Sequence, residues 1–212
     1  PTGWPVKHGR VVQELWAWVI PGNDTGSGLT SHASLALMVV VGSIPTALIG
    51  LIFKEPLEKL FGAVTTVGVM LLVTGVIVGI TKFISLDHGK WDQVKVWMAL
   101  IIGAAQGLAI VPGISRSGST IVCALLLGLR RETAGRFSFL LSIPAIIGAV
   151  GLHLESDAIA RVGVIPLTVG FASSALVGFF ALKLLMGMVK KGHFYYFAPY
   201  CWIVGALTII FL

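Results

Sequence analysis

Five stretches of this chain run for 18 residues or more with at most one lysine apiece: Ala33 to Phe53, Gly62 to Phe83, Phe137 to Leu154, Ile165 to Val189 and Phe194 to Leu212. A helix crossing roughly 30 Å of hydrocarbon needs about 20 mostly apolar residues at 1.5 Å rise each, so every one of these stretches is long enough to span a bilayer. Burying all five inside a soluble domain is not an alternative. The chain is 56% apolar and 11% charged with a mean hydropathy of +0.95, whereas a soluble domain carries about a quarter charged residues. The same balance excludes disorder, which needs few apolar residues and dense charge. The expected fold is all-α and polytopic, with about five full transmembrane helices.

Between Trp91 and Leu129 the pattern changes. Two shorter apolar runs, Val94 to Val111 and Ser119 to Leu129, are separated by Pro112-Gly113-Ile114-Ser115-Arg116-Ser117-Gly118. Neither run is a comfortable span. Irregular backbone at membrane depth is tolerated only where protein or a water-filled cavity satisfies its amides and carbonyls. Residues 91–129 are therefore expected to form a re-entrant helix-loop-helix that builds a site within a membrane domain of residues 33–212.

Residues 1–32 depart from the membrane pattern, with Lys7, His8 and Arg10, a short amphipathic stretch from Val11 to Ile20, and then Pro21-Gly22-Asn23-Asp24-Thr25-Gly26-Ser27-Gly28. They are expected to be a cytoplasmic connecting loop with a short amphipathic helix. No basic start leading into an apolar core and a small-residue cleavage site is visible. The net charge of +6 does not call for nucleic acid, because Lys and Arg beside spans record orientation. If residues 91–129 enter and leave on one face, that face receives Lys7, Arg10, Lys82, Lys90, Lys95, Arg130, Arg131, Arg136, Lys183, Lys190 and Lys191, and the other only Lys54, Lys59 and Arg161. The first is then the cytoplasmic face, and the loop tip points to the outside.

Arg116 stands apart from this sorting. A guanidinium within the membrane is costly unless it faces a cavity and meets an anion, and its planar fork matches the oxygens of a phosphate. Gly113 and Gly118 let the backbone turn tightly and approach a ligand. Ser117, Ser119 and Thr120 fall where the next helix begins, and a helix N-terminus offers free N–H groups to an oxyanion. The bland reading is a helix break capped by serines, with Arg116 paired to a carboxylate. No Asp or Glu lies in the neighbouring apolar runs to serve as that partner, so an external anion is the simpler one.

The run Gln106-Gly107-Leu108-Ala109-Ile110-Val111-Pro112-Gly113-Ile114-Ser115-Arg116-Ser117-Gly118-Ser119-Thr120 closely resembles the second signature of the bacterial undecaprenyl-diphosphate phosphatases, the bacitracin-resistance protein family. Phe137 to Pro144 resembles the segment downstream of it, and Gly42 to Gly50 the span after the family's central loop. The resemblance covers roughly Leu35 to the C-terminus. It implies an integral enzyme of the bacterial plasma membrane that removes the terminal phosphate of a polyprenyl diphosphate lipid and so recycles the carrier for cell-wall synthesis. By that resemblance Arg116 binds the diphosphate, Ser115, Ser117 and Thr120 contribute hydrogen bonds, and Gln106, Gly107, Pro112, Gly113, Gly118 and Ser119 line the substrate site. It also implies a divalent cation, Mg2+ or Ca2+, whose ligands the sequence does not identify, and it leaves a homo-oligomer open.

The family is built from inverted repeats, the first carrying a Glu-x-x-x-Glu helix and a Pro-Val-Ser-Ser-x-Gly-His loop, and neither motif occurs in these 212 residues. The fold expected here is the remainder of that inverted-repeat architecture, and this chain alone is expected to bind diphosphate weakly and to hydrolyse it poorly or not at all. Thr30-Ser31-His32 lacks the context to replace the missing motif. Cys123 and Cys201 lie in apolar runs and read as small core residues, while His8, His32, His88, His153 and His193 fall in loops or at span ends. Glu55 and Glu58 read as loop charges neutralised by Lys54 and Lys59. The Gly75/Gly79 and Gly103/Gly107 pairs allow close helix approach. An anion or phosphate-lipid transporter of inverted-repeat type and a non-catalytic scaffold are the competing readings; serines and a threonine around one Arg suit phosphate better than carboxylate or halide.

Overall fold

The computed structural model describes residues 28–53, 64–85, 89–153 and 163–211. The amphipathic stretch Val11 to Ile20, the loop holding Lys54, Glu55, Glu58 and Lys59, and His88 and Arg161 lie outside the described residues. Helix α1 covers Gly28–Ile52, α2 Val64–Gly79 with a 3-10 turn Ile80–Phe83, α3 Val96–Leu108, α4 Arg116–Leu126, α5 Arg131–His153 and α6 Val164–Lys190; a 3-10 turn Phe194–Tyr196 leads into α7, Phe197–Phe211. Five of these segments are long and apolar enough to cross a bilayer: Ala33–Ile52, Val64–Phe83, Arg131–Gly151, Val164–Lys190 and Phe194–Phe211. The chain is thus an all-α, polytopic protein, as its apolar runs require.

Helix α5 begins six residues before the apolar run at Phe137. Its first two turns are polar but tied down: Arg131 donates through Nη2 to the Ile84 carbonyl at 2.9 Å, and Glu132 pairs with both Arg136 and Lys190.

Helices α3 and α4 are 13 and 11 residues long, about 20 Å and 16 Å at 1.5 Å per residue, and neither crosses 30 Å. Their outer ends are fastened together. The Lys90 and Trp91 amides both donate to the Gly128 carbonyl, at 2.9 and 3.1 Å, and the Arg130 amide donates back to Trp91 at 3.0 Å. Residues 91 and 129 form a short parallel bridge. Entry and exit therefore share one face, so the segment is re-entrant rather than a single crossing.

Helices α1, α2 and α5 sheath this pair. Helix α1 runs parallel to α3: Gly42 meets α3 at Gly103, Ile49 at Gly107, and Gly50 faces Ile110 just beyond it. A side chain at Gly103 would collide with the Gly42 carbonyl and approach Pro45 Cγ to 2.9 Å, so the crossing depends on glycine. Helix α2 runs parallel to α4, and α7 packs antiparallel to α2, with Gly205 against Gly68 and Trp202 against Gly75. The best-packed core surrounds the re-entrant pair: Met98, Ile102, Ile121, Leu125, Phe137 and Leu141 are all buried. Helix α6 is different. It touches α5 near its C-terminal end, where Gly135 faces Met186, while Ile165, Phe171, Val177 and Leu184 remain exposed.

Candidate functional site

The loop between α3 and α4 lies deep between the full spans. Gly113 packs against Val67 and Met70, three and six residues into α2, roughly 5 to 9 Å from that helix's first residue. It therefore sits beside the first half of the Val64–Phe83 segment, away from the fastened ends of α3 and α4. Gly113 has φ +92°, and a Cβ there would come within 2.5 Å of the Val67 carbonyl oxygen and 2.8 Å of Met70 Cβ. Both conformation and space require glycine. The Ile114 amide closes the turn onto the Val111 carbonyl at 3.1 Å.

Ser115 is the N-cap of α4, in extended conformation, and its Oγ accepts the Gly118 amide at 3.1 Å. The first intrahelical bond is from the Ser119 amide to the Ser115 carbonyl, 2.9 Å. Arg116 and Ser117 therefore occupy the first two helical positions, where N–H groups have no intrahelical acceptor; neither amide has a partner among the described residues. The Arg116 guanidinium and the Ser117 and Ser119 hydroxyls are half-buried and likewise have no partner among the described residues. Two open amides at the positive end of a helix, a guanidinium and two hydroxyls form a cradle for an oxyanion.

The other residues singled out in the sequence sit behind this cradle. Thr120 is fully buried, and its hydroxyl donates to the carbonyls of Arg116 and Ser117 at 3.0 and 3.2 Å, so it stiffens the first turn of α4. Gln106 is also fully buried, its Nε2 donating to Thr46 Oγ1 at 3.3 Å and to the Leu141 carbonyl at 3.2 Å. Thr46 in turn donates to the Gly103 carbonyl at 2.8 Å. This network joins α1, α3 and α5 beneath the loop, with Gly107 packed on Ile49. Pro112 lies half-buried in the turn.

One residue escaped the sequence reading. Thr74 of α2, 2% exposed, donates through Oγ1 to the Gly113 carbonyl at 2.9 Å and accepts the Ser115 amide at 3.0 Å. A lone threonine in an apolar run gives no signal that it serves another helix, because such hydroxyls ordinarily bond within their own turn.

Among the described residues no three His, Cys, Asp or Glu side chains come together as a metal site. Mg2+ and Ca2+ are held by carboxylates, carbonyls, waters and substrate phosphates. The cradle has cationic and hydroxyl groups but no carboxylate, so these residues do not fit a protein-held divalent cation.

The family model described as bacitracin resistance protein BacA matches residues 9–207. An undecaprenyl-diphosphatase of Desulforapulum autotrophicum is 48% identical over 206 residues, covering 97% of this chain and 74% of that relative. One from Desulfatibacillum aliphaticivorans is 46% identical over 179 residues, 84% of this chain and 65% of the relative. One from Methanothermobacter thermautotrophicus is 43% identical over 177 residues, 81% of this chain and 97% of the relative. The chain thus spans between about two thirds and nearly all of the length of these relatives, and with the family match running across the fastened ends, the loop and the spans around it, it belongs to the bacitracin resistance protein BacA family.

Proposed function

We propose that the protein is an undecaprenyl-diphosphatase that hydrolyses the terminal phosphate of a polyprenyl diphosphate in the membrane, and that residues 112–119 are its diphosphate-binding loop. The observation that carries the reading is Arg116 in the first turn of α4, beside two open amides and within the depth of the spans. A lipid diphosphate fits this position. Its isoprenoid tail belongs in the bilayer, and its headgroup carries the charge the cradle lacks. Phosphoryl transfer is driven mostly by positioning and by stabilising charge on the transferred group, and Arg116, the amides of residues 116 and 117, and the hydroxyls of Ser117 and Ser119 supply both. A divalent cation would enter on the phosphates, offsetting their charge. The bacterial plasma membrane is the compartment in which a cell-wall carrier lipid would be met. Nothing in the relatives' names or in the site favours a transporter.

No carboxylate stands beside the loop among the described residues to activate water, so binding is the first quantity to measure. Farnesyl diphosphate should bind the purified chain in detergent micelles, and Arg116→Ala should lose that binding. Any phosphate release from these 212 residues should fall by on the order of a hundredfold in Arg116→Ala. Unchanged affinity in Arg116→Ala would overturn the assignment. Rapid turnover lost in Arg116→Ala would show that residues inside this chain also activate the nucleophile.

A further inference from the structure

We infer that Thr74 is a positioning residue for the anion cradle, acting from α2 on a loop that belongs to a different pair of helices. The inference rests on the reading of residues 112–119 as the diphosphate-binding loop. Three observations support it. First, the Thr74 hydroxyl is bonded on both sides: it donates to the Gly113 carbonyl at 2.9 Å and accepts the Ser115 amide at 3.0 Å. These two backbone groups flank Ile114, so a single oxygen fixes the peptide planes leading into the N-cap of α4. Second, Thr74 is buried, so its hydroxyl serves these two backbone groups and not solvent. Third, the contact has no slack. Gly113 lies against Val67 and Met70, and Gly118 faces Val78, so α2 meets the loop both before and after Thr74.

The orientation of the open amides follows from this clamp. Ser115 sets the start of α4 through its cap on Gly118, and Thr74 holds the Ser115 amide. Moving that peptide rotates the Arg116 and Ser117 N–H groups and the base of the Arg116 side chain together. A binding constellation must be held within about 0.5 Å of its productive geometry, so a shift of this peptide weakens the cradle's hold on an oxyanion. The other buried threonine of this span does not do this: Thr81, in the 3-10 turn that follows α2, donates to the Val78 carbonyl three residues before it at 2.7 Å. It is therefore a matched control for removing a buried threonine hydroxyl from the same segment.

The test is the affinity of the purified 212-residue chain for farnesyl diphosphate in detergent micelles, with thermal unfolding measured alongside. Thr74→Val keeps the shape and removes the hydroxyl, and should weaken binding by roughly tenfold or more. Thr74→Ser restores the hydroxyl and should bind within about twofold of the parent, as should Thr81→Val. If Thr74→Val does not fold, Thr74→Cys, with its weaker donor and acceptor, should show an intermediate loss. Parent-like affinity in Thr74→Val, or in Thr74→Cys where that variant is used, overturns the inference, as does failure of Thr74→Ser to restore binding or an equal loss in Thr81→Val. In each of these cases loss of binding in Arg116→Ala leaves the site assignment standing. Undiminished binding in Arg116→Ala brings down the site reading itself.

Discussion

At the scale of single residues, the loop depends on groups whose replacement has separable costs. Gly113 combines a left-handed backbone with contact against Val67 and Met70. Gly113→Ala adds conformational strain of about 1–3 kcal/mol and a steric clash worth about as much again. Gly148 of α5 offers the contrast, since a Cβ there meets nothing within 4 Å. Thermal unfolding in detergent should show a clear fall in midpoint for Gly113→Ala and none for Gly148→Ala. Equal midpoints would mean that α2 and the loop move apart at little cost. The contrast also marks how far sequence reading reaches. Gly113 stood out because Pro-Gly before a polar, arginine-bearing run is unusual in an apolar chain, and the structure gives that glycine its positive φ. Thr74 did not stand out, because its two bonds join positions about 40 residues apart. The open face of the cradle was legible in Arg116, Ser117 and Ser119. The inward turn of Thr120 was not, since a hydroxyl at a helix start can face a ligand or its own carbonyls and only packing decides.

At the scale of elements, the spans were legible to within a few residues because hydrocarbon thickness sets their length, except that α5 starts six residues early at Arg131, whereas the pairing of α1 with α3 had only the glycines to announce it. That pair is also joined by the buried network of Thr46, Gly103, Gln106 and Leu141. Its members should not contribute equally. Thr46→Val strips the Gly103 carbonyl of its interhelical donor and Gln106 Nε2 of an acceptor, leaving buried groups unsatisfied. Interhelical hydrogen bonds in membranes average about 0.6 kcal/mol and orphaned buried groups cost about 1–3 kcal/mol, so a loss of about 1–2 kcal/mol is expected. Gln106→Leu removes two long bonds but also removes Oε1, which is buried without a partner among the described residues. Its net effect should stay below about 1 kcal/mol, because deleting an unsatisfied acceptor offsets the lost donors. Denaturation of the two variants in mixed micelles checks the order; a costlier Gln106→Leu would mean that Oε1 has a bound water or ligand as its partner.

At the scale of the whole molecule, the bonds from Lys90 and Trp91 to Gly128 remove the ambiguity that the sequence left in the topology. With both ends of the re-entrant segment on one face, Lys82, Lys90, Lys95, Arg130, Arg131, Arg136, Lys190 and Lys191 gather at that end of the described helices, while Arg116 lies at the tip of the loop. By the positive-inside rule this excess of Lys and Arg in short loops is expected on the cytoplasmic face, which would open the loop toward the outer leaflet. Cysteine labelling in intact cells measures this directly, in a background carrying Cys123→Ala and Cys201→Ala. Phe53→Cys, at the far end of α1 and exposed, should react with a membrane-impermeant maleimide without permeabilisation. Lys90→Cys and Lys191→Cys should react only after the membrane is opened. Labelling of all three from one side would contradict the helix order, while the reverse pattern would keep the fold and turn the cradle toward the cytoplasm. The two orientations differ in which leaflet delivers the diphosphate headgroup, so the outcome decides on which side of the membrane the carrier lipid is dephosphorylated.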